Sequence, residues 1–183
     1  MKLREVVDKA VFYLGLSDEL ILEGSNATPE TNKKIATLIR CANVIQGEIA
    51  SDYIPLIAKE TVTSDNYELQ YSYFSRRLIS INSCLYKGRK IKFKVYPTYL
   101  EVSENGEIEV QYNYLPEDIG LDDDVPYLAT LSPSTFAYGI AGEYAIVNKM
   151  YEEAILFERR FKEGMVSDTS IKNATYVKER RWI

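Results

Sequence analysis

The chain contains no histidine, and with that residue go the commonest general base, the usual proton acceptor beside a nucleophilic serine or cysteine, and the commonest metal ligand. Cysteine is nearly as scarce. Cys41 and Cys84 are the only two, too few and too far apart for a thiolate zinc cluster, and both read as small buried hydrophobes in a reducing compartment. No apolar run reaches the ~18 residues that a membrane-spanning helix needs, and charges are spread through Met1 to Ala10, where a signal peptide would carry an apolar segment. The expected setting is the cytosol, with no membrane contact. Neither a phosphate-binding glycine loop, a dinucleotide fingerprint, a nucleophile elbow nor a zinc-protease motif occurs, so no enzyme activity, no metal and no cofactor is expected. Basic residues are outnumbered, 22 against 27 acidic. That balance argues against a surface devoted wholly to nucleic acid, because phosphate binding needs clustered positive charge.

What is present is a soluble globular composition, 46% hydrophobic and 27% charged over 183 residues, enough for one ordinary domain. Leu3, Val6, Val7, Ala10, Val11 and Leu14 recur at the helical period and predict an amphipathic helix that stops near Gly15. Thr28-Pro29 supplies a cap followed by proline at the first helical position. The second helix is expected from there to about Asp52, with Ile35, Leu38, Ile39, Ala42, Ile45 and Ile49 on its buried face. Ile54-Pro55 ends it, because a residue before proline is pushed out of the α region.

From Leu56 the apolar period falls to about 2 and turn residues become frequent, the signature of a small antiparallel sheet. Strands are expected at Leu78 to Tyr86, Lys90 to Tyr96, Tyr99 to Val102 and Glu107 to Tyr114. Lys87-Gly88-Arg89, Pro97 and Asn105-Gly106 join them, and the Asn-Gly pair is the strongest hairpin signal. In the last strand Ile108, Val110, Tyr112 and Tyr114 share one face and Glu107, Glu109, Gln111 and Asn113 the other, so one side is buried and one wet.

Residues 115–126 hold Glu117, Asp118, Asp122, Asp123 and Asp124 and no basic residue, which reads as a solvated acidic linker. The Asp122 to Asp124 run lacks the glycine and glutamate spacing of a calcium loop, so it carries no metal expectation. Ser132-Pro133 then repeats the helix start, and Phe136, Ile140, Tyr144 and Val147 continue as a stripe. Gly139 and Gly142 cost about 1 kcal/mol each relative to alanine in a helix, so with Ala141 they are read as helix-packing residues. A fourth helix is expected from Tyr151 to Lys162, with Ala154, Phe157 and Phe161 inward and Gly164 at its end. The tail, 166–183, has no apolar period and four basic residues against two acidic, and reads as extended on its own.

Two features have a bland and a functional reading. Lys87 to Lys94 holds five basic residues and no acidic one, with Lys90, Lys92 and Lys94 on one strand face, either facing DNA or protecting a sheet edge. The 15 tyrosines either stack on sugars or bases or serve as good strand formers. A glycan- or nucleic-acid-binding module using the tyrosine-rich sheet and strand 87–94 is therefore the rival functional class.

The order of parts is similar to that of the adaptor, or neck, proteins that dock beneath the portal of tailed bacteriophages. Three stretches carry the resemblance: Leu38 to Asn43 running on to Glu48 through Leu56; Tyr138 to Tyr144 followed by Asn148 to Ala154 and Phe157 to Phe161; and the terminal Arg180-Arg181-Trp182-Ile183. The resemblance implies an α+β, mainly helical chain. It would be a four-helix bundle formed by 1–55 and 127–165, with a small antiparallel β-sheet inserted at 56–114, the acidic linker 115–126 and an extended docking tail 166–183. It implies a structural virion protein in the phage neck, assembled in the host cytoplasm as a dodecameric ring. Its partners would be the portal protein, a downstream tail or stopper protein and, transiently, genomic DNA in the channel. Lys178, Arg180, Arg181 and Trp182 would bind the portal, the arginines and the tryptophan being residue types that dominate binding hot spots.

Overall fold

A computed structural model describes residues 1–18, 20, 28–127 and 130–170. The chain divides into two units, one made of 1–45 and 118–183 and the other of 46–117. The first boundary falls inside a helix.

In the first unit, α1 (Leu3–Tyr13) buries Leu3, Val6, Val7, Ala10 and Val11, the face expected from their spacing. Gly15, at φ 69°, ends it: the backbone turns left-handed and the Leu16 N–H reaches the Val11 carbonyl at 3.0 Å. Helix α2 (Pro29–Glu48) starts at Thr28, whose hydroxyl accepts from the Thr31 N–H at 3.2 Å. Helix α3 (Pro133–Val147) starts in the same way at Ser132, which accepts from the Thr135 N–H at 3.1 Å. Lys149, at φ 63°, turns the chain straight into α4 (Tyr151–Ser170), so α3 and α4 form a tight hairpin with α1 against α3.

The fourth helix does not stop at Lys162. It runs through Gly164 to Ser170, taking in the first residues of the expected tail. The reason is packing: a β-carbon at Gly164 would lie 2.5 Å from Thr135 Oγ1, so glycine here lets α4 pass close against α3 instead of ending the helix. The extension also places Asp168, whose Oδ2 accepts from the Ser132 N–H and the Thr135 hydroxyl, both at 2.8 Å. The start of α3 is thereby capped a second time, from α4.

The acidic stretch forms a strap across the start of α1. Leu3 N–H donates to the Asp123 carbonyl at 3.0 Å and Arg4 N–H to the Leu121 carbonyl at 2.9 Å. Lys2 pairs with Asp124 at 3.2 Å and Arg4 with Asp122 at 2.9 Å, and the carboxylates favour a helix N-terminus in any case. The Asn43 side chain bonds the backbone of Ile119 in both directions, at 2.9 and 3.1 Å. The carboxylates of Asp122 and Asp124 stay solvated, while Val125 and Tyr127 are buried.

The second unit begins with the end of α2 and a π-helical turn, Ile49–Tyr53, closed by the Ile54 N–H on the Ile49 carbonyl at 2.8 Å. Seven strands follow: β1 (Leu56–Ser64), β2 (Glu68–Gln70), β3 (Leu78–Tyr86), β4 (Arg89–Ile91), β5 (Phe93–Val95), β6 (Tyr99–Val102) and β7 (Gly106–Tyr114). They form two antiparallel sheets, ordered β1-β7-β3-β4 and β2-β6-β5. Val62, Cys84, Ile108, Val110 and Tyr112 from the first sheet and Leu69, Leu100 and Val102 from the second close, with Phe74, on one apolar core. Burying such side chains contributes about 1.5–3 kcal/mol each.

This overturns the four-helix bundle with a small inserted sheet. Among the described residues the chain is α+β, 46% helical and 27% strand, and its β part is two sheets with a core of their own. Three-residue strands such as β2 and β5 are too short to show a period, so the second sheet is invisible to pattern reading. Two turn expectations change with it. Asn105-Gly106 joins β6 to β7, which lie in different sheets, so it is no hairpin; Gly106 sits at φ 120° and the Asn105 side chain instead accepts from Ser64 Oγ and the Tyr67 N–H. The two-residue turns with both central φ positive are Lys87-Gly88, between β3 and β4, and Asn66-Tyr67, between Asp65 and Glu68.

Tyrosine is a poor residue at φ 64°, where its β-carbon crowds the backbone, and half of its side chain is exposed. Replacing it with asparagine, Tyr67→Asn, is expected to raise stability by about 0.5–1 kcal/mol, measured by urea denaturation. An unchanged or lower midpoint would contradict this account of the turn.

Candidate functional site

The basic strand expected at Lys90 to Tyr96 is two strands. Lys90 lies in β4 and Lys94 in β5, in different sheets, with Lys92 at the break between them. Alternation survives the break: Lys90, Lys92 and Lys94 are exposed, while Ile91 and Phe93 pack on the β core. Lys94 lies opposite Glu101 and places its amine 4.8 Å from the centre of the Tyr96 ring. A hydrogen bond to Tyr96 and the charge on its phenol oxygen, together with Glu101 and Tyr99, hold the Lys94 pKa above the usual lysine value despite some desolvation.

Beside this ladder lies a cleft of about 660 Å³. One wall is the beginning of β3, preceded by Arg76 and Arg77; the other is the turn after β5, Val95 to Pro97. That turn is held rigid. Tyr96 N–H donates to the Tyr99 carbonyl at 3.0 Å, the Tyr96 and Tyr99 rings stack at 4.8 Å, and the Tyr71 hydroxyl donates to the Tyr96 carbonyl at 2.6 Å. Arg76 lies over the Tyr114 ring at 4.2 Å, and its charge is felt by Glu60. Among the described residues the lining contains two arginines and no carboxylate.

Glu60, on the inward side of β1, accepts from the Ser75 N–H at 3.0 Å, the Ser75 hydroxyl at 2.5 Å and the Tyr112 hydroxyl. Nothing in the strand pattern singled out this knot except a carboxylate at a position in phase with Ala58 and Val62. In the helical unit, Gly139 admits the Ile45 methyl and the Phe161 ring, Ala141 is fully buried, and Gly142 faces the backbone of α4 at Phe157 and Glu158. Both cysteines are buried. Burial, and for Cys41 also the Glu143 charge, pushes the Cys41 thiol up to about 12, and burial pushes Cys84 up to about 11, so neither is poised as a thiolate.

The expected portal-binding residues, Lys178, Arg180, Arg181 and Trp182, lie outside the described residues. Among the described residues no group of three or more acidic or cysteine side chains is placed to hold a metal, and no helix is long and apolar enough to cross a membrane. A different surface stands out on the α3–α4 hairpin. Ile146, Val147, Tyr151, Ile155 and Val166 are 48, 55, 62, 69 and 67% exposed, and Tyr151, Ile155 and Val166 fall along one flank of α4. No protein-family model and no curated protein matches the chain.

Proposed function

We propose that the chain is a structural virion subunit, a head-to-tail adaptor that forms a dodecameric ring beneath a phage portal, extends the DNA channel and offers the tail its attachment surface. The observation that carries the reading is the apolar flank of the α3–α4 hairpin. A run of solvent-facing Ile, Val and Tyr on a rigid helix pair is unfavourable in water unless something covers it, and the neighbouring subunit of a ring supplies such a cover. The acidic excess suits a wall around DNA, since like charge does not retain the passing polyanion. The tail residues Lys178, Arg180, Arg181 and Trp182 are assigned to the portal.

Co-sedimentation with a portal protein tests the assignment. Truncation must follow Ser170 and not Gly164, because Met165 is fully buried and Asp168 caps α3. The shortened protein is expected to melt like the full chain and to lose portal attachment. Normal co-sedimentation of the truncated protein would sink the tail assignment, and a full-length chain that binds no portal and forms no ring under electron microscopy would sink the adaptor reading itself.

A further inference from the structure

Strand β3 is paired along its whole length with β7 on one side, but β4 covers only Cys84, Leu85 and Tyr86 on the other. Among the described residues, Leu78 to Ser83 therefore form an open sheet edge. Open edges are a liability that proteins usually blunt, because their unpaired N–H and C=O groups template the addition of another strand. The usual defences are incomplete here. Register shifts at Leu78/Ser80 and Ile81/Ser83 bend the edge, yet no proline or lysine lies in it, and Ile79 presents an exposed apolar side chain.

The open edge is also one wall of the 660 Å³ cleft, and Val95, 59% exposed, stands on the other wall. The cleft thus combines backbone groups without strand partners, apolar side chains on both walls and an arginine pair in its lining. Among the described residues Arg77 has no ion-pair partner, and its carbonyl is fixed by the Leu115 N–H at 2.9 Å. We infer that this cleft binds an extended acidic peptide segment of a partner protein, which adds as a strand to the open edge of β3 while its carboxylates meet Arg76 and Arg77. Main-chain pairing supplies affinity in this mode of recognition and the side-chain contacts supply selectivity. Nucleic acid matches the arginines equally but has no use for a row of peptide N–H and C=O groups. The inference is independent of the adaptor reading: either can fail alone.

The probe is a short fluorescent peptide alternating valine and glutamate, added to the full-length protein. Three companions are compared with it: the same peptide with lysine for glutamate, the same peptide N-methylated at every backbone nitrogen, and single-stranded oligo-dT. The acidic peptide is expected to bind and to slow amide exchange at Leu78 to Ser83. Arg77→Glu is expected to weaken it about tenfold, and N-methylation should abolish binding with the charge unchanged. The inference is overturned if β3 amides show no added protection, if the N-methylated or lysine peptide binds equally well, or if oligo-dT protects the same amides more tightly. Protection of Leu78 to Ser83 in the dimerised protein alone, lost on dilution, would overturn it in favour of a second copy.

Discussion

Replacing Gly139 with alanine should destabilise the helical unit by about 2 kcal/mol, while the same replacement at Gly142, one turn along the same helix, should stabilise it by about 0.5–1 kcal/mol. Both changes gain roughly the helix propensity that separates alanine from glycine, so local structure alone predicts two equal improvements. Packing separates them. A β-carbon at Gly139 would stand 2.8 Å from Ile45 Cγ2 and 3.1 Å from Phe161 Cδ2, between a stiff branched side chain and a buried ring, and neither has room to withdraw. Overpacking of this kind costs about 1–3 kcal/mol. At Gly142 the nearest atoms are at 3.5 Å, ordinary contact distance. The two variants should therefore differ in thermal midpoint by roughly 6–12 °C, with the parent between them. Equal shifts in the same direction would show that Gly139 is not the point of closest helix approach.

The same comparison marks where reading the sequence stops. Helix faces and capped starts are legible because they are written in neighbouring residues: Leu3 to Leu14 repeat at the helical period, and Thr28-Pro29 and Ser132-Pro133 are local signals. Gly164 was legible only as a helix end. Whether a glycine terminates a helix or lets another helix pass depends on Thr135, which is near in space and distant in sequence. The β region divides in the same way. The alternation of β7 marks its buried face correctly, and Leu78 to Tyr86 is β3 to the residue. The partition into two sheets was not legible, since Lys90 to Tyr96 keeps one unbroken alternation while the chain crosses at Lys92 from one sheet to the other. For the cleft, the arginines and tyrosines were visible as residue types, but an open edge is a fact about which strand fails to cover another. It appears only once β4 is seen to be three residues long.

Changing Tyr112 to phenylalanine should cost about 2 kcal/mol at neutral pH and should flatten the pH dependence of the stability of the β unit, so that parent and variant converge toward both extremes. The ring is fully buried, packs edge-on against Phe74 at 5.2 Å, and donates its hydroxyl to the Glu60 carboxylate. Phenylalanine keeps the ring contact and removes only the donor, and a hydrogen bond to a charged acceptor is worth about 1.5–3 kcal/mol. Burial on its own raises the Glu60 pKa, but the bonds from Ser75 and Tyr112 and the nearby Arg76 charge outweigh it and hold the group below its usual 4.5. Its contribution is therefore present above pH 4.5 and lost as pH falls through the lowered folded value. Tyr112 is shifted the other way: burial, then the bond to Glu60 and its charge, push the phenol up to about 12 from 10.0. That contribution is complete below pH 10.0 and lost as pH rises through about 12. The fall in stability on both flanks should be shallower in Tyr112→Phe than in the parent, because each fall rests on the same proton shared by the same two groups. Urea midpoints of parent and variant from pH 3 to pH 11 separate this from loss of packing, since the other tyrosines are common to both proteins. A variant that loses the same stability at every pH would assign the cost to packing, and one with no loss at neutral pH would remove the hydroxyl from the account of this fold.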